Sequence, residues 1–159
     1  MFVLAGDRSW DKGTKLVPRN GISSGDLFGR SVALSGDRSI IGAVGSDEKG
    51  KISSGEAYIF QRVNGVRQEE SKLVPTNGEI DDWFGYDVAL SGDTAIIGSP
   101  GDGDMVPDSK SVYVFFRRDG GTWEEVQKLT PADGEAYDYF GWSVGISGDT
   151  AVIGALWDN

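Results

Sequence analysis

The stretch FGRSVALSGDRSIIGA, from Phe28 to Ala43, recurs as FGYDVALSGDTAIIGS from Phe84 to Ser99 and as FGWSVGISGDTAVIGA from Phe140 to Ala155. The copies are spaced 56 residues apart, and eight of their sixteen positions are identical in all three. A fixed period of this size is typical of repeat architectures, in which each unit buries its apolar surface against its neighbours. The sequence therefore predicts an array of equivalent units.

Each copy predicts a β-hairpin. In the first, an apolar segment from Ser31 to Leu34 is followed by the turn Ser35-Gly36-Asp37 and a second apolar segment from Ser39 to Ala43. Apolar runs separated by a short polar turn that contains glycine are typical of a hairpin. Both runs are apolar on both faces, so we expect inner strands that lie between neighbouring sheets.

Two more strands are predicted in each unit. Glu56 to Val63 and Ser111 to Arg118 are rich in aromatic and β-branched residues, and the turns Asn64-Gly65 and Asp119-Gly120 lead to charged segments. Charged last strands are typical of an exposed outer edge. Four strands per unit, from small and apolar to charged, describe an all-β fold of β-propeller-type blades with the inner strand first.

The spacing divides the chain into about three blade equivalents, because the segment before Lys15 to Pro18 resembles the second half of a unit. We expect strands 3 and 4 of a blade in residues 1–18, whole blades in residues 19–75 and 76–131, and strands 1 and 2 of a blade in residues 132–159. The terminal blade is thus predicted to be split between the two chain ends.

Composition excludes several classes of function. The chain has 25 acidic and 15 basic residues, for a net charge of −10, which disfavours nucleic acid as a partner. It has no histidine and no cysteine, so Ser-His-Asp triads, cysteine nucleophiles, thiolate or imidazole zinc sites and disulfides are excluded. No stretch is apolar over the length of a membrane span, and the first residues do not resemble a signal peptide.

The repeats resemble FG-GAP repeats, the blade unit of the integrin α-subunit propeller and of many bacterial and algal surface proteins. The resemblance rests on the three Phe-Gly pairs, the three Ser-Gly-Asp turns and the endings Ile-Ile-Gly-Ala, Ile-Ile-Gly-Ser and Val-Ile-Gly-Ala. It implies adhesion or ligand binding through loops, usually outside the cell, with protein or glycan ligands and without catalysis. We therefore expect a structural or adhesive module that is not an enzyme.

The repeated positions form a predicted structural motif. We expect each phenylalanine to fill the gap between adjacent blades and the glycine after it to permit a close backbone approach. The motif comprises Phe28, Gly29, Gly36 and Asp37 in the first copy, Phe84, Gly85, Gly92 and Asp93 in the second, and Phe140, Gly141, Gly148 and Asp149 in the third.

No cofactor is expected, although calcium stays open as an alternative. Many members of the family carry a calcium loop between the first two strands, but here that connection is only Ser-Gly-Asp, and one carboxylate cannot satisfy calcium. The best remaining cluster is Asp102 and Asp104, with Asp108 nearby. A calcium-dependent module would show a thermal shift with calcium that vanishes when Asp102 and Asp104 become alanine.

A second alternative is a carbohydrate-binding or carbohydrate-processing propeller. Five tryptophans are available for stacking on sugar rings: Trp10, Trp83, Trp123, Trp142 and Trp157. Acidic pairs such as Asp81-Asp82 and Glu124-Glu125 are the residue type that glycosidases use, but such pairs arise by chance in so acidic a chain.

The split blade predicts self-assembly. Three blade equivalents are too few to close a propeller, and an open array exposes sheet edges and apolar faces. We expect the last two strands of one chain to be completed by the first two of the next, head to tail, in a ring or a filament. The alternative is a fragment of a larger surface protein.

Overall fold

The computed structural model describes residues 2–4, 10–101, 110–131 and 139–156, with side chains from residue 13 onward in these ranges. Its strands are β1 (Phe2–Leu4), β2 (Trp10–Lys12), β3 (Phe28–Ser35), β4 (Arg38–Ala43), β5 (Glu56–Val63), β6 (Val66–Leu73), β7 (Val88–Ser91), β8 (Thr94–Pro100), β9 (Lys110–Arg117), β10 (Trp123–Leu129), β11 (Phe140–Ser147) and β12 (Thr150–Ala155). Within these ranges no helix is long and apolar enough to cross a membrane.

The strands form antiparallel sheets in chain order. Strands β3 to β6 form sheet 1, β7 to β10 form sheet 2, β11 and β12 form sheet 3, and β1 pairs with β2 in a separate hairpin. The three Ser-Gly-Asp triplets lie at the turns between the first two strands of sheets 1, 2 and 3. This confirms the predicted all-β fold of repeated four-stranded units.

The sheets stack face to face through their inner strands. Strand β3 contacts β7, and β11 contacts β7 and β8. We call the side of a sheet that faces the next sheet in the chain its forward face, and the opposite side its rear face. The main core lies between the forward face of sheet 1 and the rear face of sheet 2, and it contains Ile40, Ala57, Ile59, Leu73, Phe84, Val88, Leu90, Ala95, Ile97, Tyr113, Phe115 and Trp123.

The inner strands differ in how far they are covered, against the expectation that all lie between two sheets. Strand β7 is buried on both faces, whereas alternate residues of β3 and the first residues of β12 are exposed. The reason is that the rear face of β3 and the forward face of β12 have no neighbouring sheet within the described part of the chain. Strand β3 also begins earlier than predicted, because a bulge after Phe28 lets that residue pair with Ala43.

Candidate functional site

The repeated phenylalanine packs on the rear face of its own sheet. Phe84 is fully buried, and its ring meets Tyr113 and Phe115 edge-on, with centroids 5.5 and 6.0 Å apart. Phe28 makes the same edge-on contacts in sheet 1, with Tyr58 and Phe60. In sheet 2 this ring lies in the core shared with sheet 1, so the residue joins consecutive sheets.

The glycines of the repeat allow the sheets to approach closely. Gly85 has a positive φ of 86°, and a β-carbon on it would lie 2.4 Å from the Glu56 carbonyl oxygen. A β-carbon on Gly42 would lie only 2.0 Å from the Gly85 carbonyl oxygen, and one on Gly98 would lie 2.1 Å from that of Gly141. Both junctions therefore require glycine on each side.

The Ser-Gly-Asp turns bind each sheet to the next. The Ser35 hydroxyl oxygen accepts a hydrogen bond from the Gly92 N–H at 2.9 Å, and Ser91 accepts one from the Gly148 N–H at 3.1 Å. Donor and acceptor are 57 residues apart in both cases. The serine of one turn thus binds the glycine of the following turn.

The aspartates of these turns have structural partners. The Asp37 carboxylate pairs with Arg62 at 2.6 Å, Asp93 pairs with Arg38 at 3.3 Å, and Asp149 accepts a bond from the Thr150 hydroxyl at 3.1 Å. Within the described residues, no three acidic side chains come together as a metal site would require. The candidates Asp102 and Asp104, like Asp108, lie outside the described residues.

Glu70 adds an ionic contact at the first junction. It extends from sheet 1 and accepts hydrogen bonds from Arg38 at 3.0 Å and from Arg117 of sheet 2 at 2.7 Å. The Trp123 indole N–H lies 3.4 Å from the same carboxylate. Trp123 is therefore part of the packed junction and is not available for stacking on a ligand.

The three repeats match a known family model. The FG-GAP repeat model matches residues 10–60, 68–115 and 123–159, which is most of the chain. The chain belongs to the FG-GAP repeat family. No curated protein matches it. In the second FG-GAP unit, the Phe-Gly pair Phe84-Gly85 lies where sheet 2 packs against sheet 1.

The outermost FG-GAP faces expose residues that are buried at the inner junction. On rear faces, Val88 and Leu90 of sheet 2 are 4% and 6% exposed, whereas the equivalent Val32 and Leu34 of sheet 1 are 66% and 67% exposed. On forward faces, Ile40 is fully buried, whereas the equivalent Val152 of sheet 3 is 71% exposed. The described array therefore exposes apolar side chains at both ends, Val32 and Leu34 at one and Val152 at the other.

Strand β12 has an open edge. The equivalent strands β4 and β8 each pair with a neighbour on both sides, whereas β12 pairs only with β11 among the described strands. Phe116 and Val126, in the outer strands β9 and β10 of sheet 2, are 39% and 44% exposed. A third strand on this edge would bring the FG-GAP unit closer to the four strands of sheets 1 and 2.

A row of aromatic side chains crosses sheets 2 and 3 at the entry to the inner strands. We call Trp83, Tyr86, Tyr139 and Trp142 the aromatic row. Trp83 stacks on Tyr86 with ring centroids 6.3 Å apart. The ring centroids of Tyr86 and Trp142 are 4.5 Å apart, and those of Trp142 and Tyr139 are 5.6 Å apart. All four side chains are partly exposed.

Two members of this row, Trp83 and Tyr139, lie at strained backbone positions. The residue before each FG-GAP phenylalanine has a positive φ, 53° at Leu27, 54° at Trp83 and 44° at Tyr139. In each case its carbonyl accepts the N–H three residues later, at 3.0 to 3.1 Å. Large side chains rarely adopt this conformation, and the sequence alone gave no sign of it.

A cleft of about 500 Å³ opens at the loop end of sheet 1, lined in part by Asp26, Glu56, Tyr58 and Lys72. Glu56 is 6% exposed and binds both the Tyr58 hydroxyl and the Lys72 ammonium group. Burial disfavours the charged form of Lys72 and lowers its pKa. Hydrogen bonds to Glu48 and Glu56 have the opposite and larger effect, so the pKa of Lys72 is raised. Lys72, Glu48 and Glu56 are therefore paired with one another within the protein.

Proposed function

We propose that this chain is a non-catalytic interaction module that joins copies of itself head to tail. The observation that carries the proposal is the exposure of Val32 and Leu34 on sheet 1. The equivalent residues of sheet 2, Val88 and Leu90, are buried between sheets 1 and 2. Two exposed apolar faces of this kind are characteristic of an interaction site. Membership of the FG-GAP family supports a propeller-type module. FG-GAP repeats are usually extracellular, which supports a role outside the cell.

The proposed junction would repeat the contacts seen inside the molecule. The forward face of sheet 3, with Val152, would pack on the rear face of sheet 1 in the next copy, with Val32 and Leu34. The outer part of that rear face is already covered, since Leu16 packs there with Tyr58 and Phe60. Only its inner part is open, and inner strands are what sheet 3 provides.

Strand pairing would complete the same junction. In sheet 1 the second strand, β4, pairs with the third, β5. We assign β1 as the third strand and β2 as the fourth strand of a blade, since Trp10 aligns in sequence with Trp123 at the start of β10. Addition of β1 and β2 from the next copy to the open edge of β12 would complete a four-stranded sheet over Phe116 and Val126.

A non-catalytic role is supported by the acidic pairs. The Asp82 carboxylate accepts the Glu79 N–H, Glu124 pairs with Arg118 at 2.8 Å, and Glu125 accepts hydrogen bonds from Thr76. These carboxylates serve local structure, in keeping with the FG-GAP family, whose repeat domains are typically non-catalytic.

Light scattering over a range of concentrations tests the proposal with three variants. We expect the wild-type chain to form a closed oligomer or filaments, and Val32→Asp and Val152→Asp each to remain monomeric because a charge replaces an apolar contact. Val66→Asp is the matched control, because Val66 is 56% exposed at the outer end of sheet 1.

Mixing the two inactive variants tests the direction of assembly. The Val32→Asp chain keeps an intact forward face, and the Val152→Asp chain keeps an intact rear face. A head-to-tail contact therefore predicts a one-to-one dimer in the mixture and no larger species. A wild-type chain that is monomeric at all concentrations would refute self-assembly and indicate that other blades cover these faces.

A further inference from the structure

We propose that the aromatic row, Trp83, Tyr86, Tyr139 and Trp142, binds a glycan. The inference goes beyond self-assembly and does not depend on it, because Trp83 and Tyr86 belong to the unit in the middle of the array. Aromatic rings bind the apolar C–H face of a sugar ring, and a contiguous row can accommodate several sugars of one chain.

The first supporting observation is the backbone conformation of two members of the row. Trp83 and Tyr139 have positive φ angles, and the same strain recurs at Leu27. Leu27 is itself 56% exposed. Trp83 and Tyr139 thus keep large aromatic side chains partly exposed in a backbone conformation that such residues rarely adopt.

The second observation is the charge beside the rings. The Arg30 guanidinium lies 4.4 Å from the centroid of the Tyr86 ring, and the Lys110 ammonium lies 5.7 Å from that of Tyr139. The Arg30 side chain is exposed and makes no hydrogen bond or salt bridge within the described part of the chain, although acidic residues outnumber basic ones. Its donors are available for hydroxyl or carboxylate oxygens.

These charges select among ligand classes. A cationic ligand would meet the charges that already lie over Tyr86 and Tyr139, and nucleic acid would meet the net charge of −10. A glycan matches both parts of the surface, since its C–H faces suit the rings and its oxygens suit Arg30. The oxygens can be the hydroxyls of a neutral sugar or the carboxylate of an acidic one, and binding assays distinguish the two.

A glycan array with neutral and uronic-acid glycans is the first test, followed by calorimetry of the best glycan with purified variants. We expect Trp83→Leu and Tyr86→Leu each to weaken binding about tenfold while the fold and the mass in solution are unchanged. Val66→Ala is the control, since it removes exposed apolar surface that lies outside both the row and the proposed junction. Arg30→Gln should weaken an acidic glycan more than a neutral one.

Fluorine NMR of the wild-type chain labelled with 5-fluorotryptophan keeps the test decisive if a variant fails to fold. The best glycan of the array should shift the resonances of Trp83 and Trp142 and leave that of the buried Trp123 unchanged. Three outcomes would overturn the proposal: no glycan bound on the array, binding that survives both leucine variants, or shifts confined to other tryptophans.

Discussion

Gly42 shows how strictly a single position is constrained where two sheets meet. A β-carbon there would lie 2.0 Å from the Gly85 carbonyl oxygen, a backbone atom that cannot move without shifting the sheet. We expect Gly42→Ala to lower the free energy of unfolding by about 2 to 3 kcal/mol, as overpacking of a tight core does. Urea unfolding followed by circular dichroism measures the change.

Gly145→Ala is the matched control for this prediction. A β-carbon on Gly145 would meet nothing within 4 Å, and the other two repeats carry alanine at this position, Ala33 and Ala89. Its stability should equal or slightly exceed that of the wild type. Equal stability of both alanine variants would show that the sheets can separate at Gly42 at little cost.

Asp82 makes the unfolding free energy of the protein depend on pH. Burial raises the pKa of this carboxyl above its ordinary value of 3.8. A group whose pKa is raised on folding binds its proton more tightly in the folded state, so its contribution to stability falls as the pH rises from 3.8 through the raised pKa. Asp82→Asn removes this titration and keeps an oxygen that can accept the Glu79 N–H.

The measurement is the difference in unfolding free energy between Asp82→Asn and the wild type at a series of pH values. The stability of Asp82→Asn relative to the wild type should increase as the pH rises above 3.8 and should then become constant. Asp26→Asn is the control, because Asp26 accepts the same type of bond from Ser23 at a more exposed site. A pH-independent difference for Asp82→Asn would contradict the assignment.

At the scale of the strands, Glu70 connects β6 to β9 of the next sheet. We expect Glu70→Ala to lower the unfolding free energy by about 2 kcal/mol, because Arg38 and Arg117 lose a shared and mostly buried carboxylate. Glu124→Ala breaks a pair whose side chains are both 52% exposed and should cost less than about 0.5 kcal/mol.

Thermal melting at low and high salt separates these two variants. The loss for Glu70→Ala should persist at high salt, since partly buried pairs are screened less than exposed ones. Similar small losses for both variants would show that packing alone holds sheets 1 and 2 together.

The strands themselves followed from local pattern. The 56-residue period, the glycine-containing turns and the switch from small to charged residues were enough to predict four-stranded units. The junction contacts were not predictable in this way. The bond from Gly92 to Ser35 and the approach of Gly42 to Gly85 join residues of different repeats, and a sequence pattern does not give the distance between them.

The candidate sites were harder to predict than the fold. Tryptophan composition suggested sugar stacking but did not separate Trp83 and Trp142, in the aromatic row, from Trp123, in the packed junction. The positive φ before each phenylalanine has no sequence signature, because leucine, tryptophan and tyrosine do not favour it. The calcium site suggested at Asp102 and Asp104 stays a prediction, because both residues lie outside the described part of the chain.

For the whole molecule, net charge should oppose the proposed assembly. Each copy has a net charge of −10, so copies repel one another at low ionic strength, while the proposed contact is apolar. We expect the average mass to increase as sodium chloride rises from about 0.02 to about 0.5 M, since the screening length falls below about 10 Å above roughly 0.1 M salt. Light scattering at constant protein concentration measures this.

The Val152→Asp variant is the control for the salt series, and its mass should not change. A mass that decreases with added salt would indicate a contact held by ion pairs instead of apolar burial, and would contradict the proposed junction.

The hydrogen bonds from Gly92 to Ser35 and from Gly148 to Ser91 have a consequence for how such chains arise. The middle unit supplies both an acceptor, Ser91, and a donor, Gly92, and its two neighbours supply the matching donor and acceptor at equivalent positions. A duplicated segment of 56 residues would arrive with both halves of the junction it needs. Genes of this type can therefore gain or lose whole units by unequal recombination without inventing a new interface, and a designer can lengthen the array by the same step.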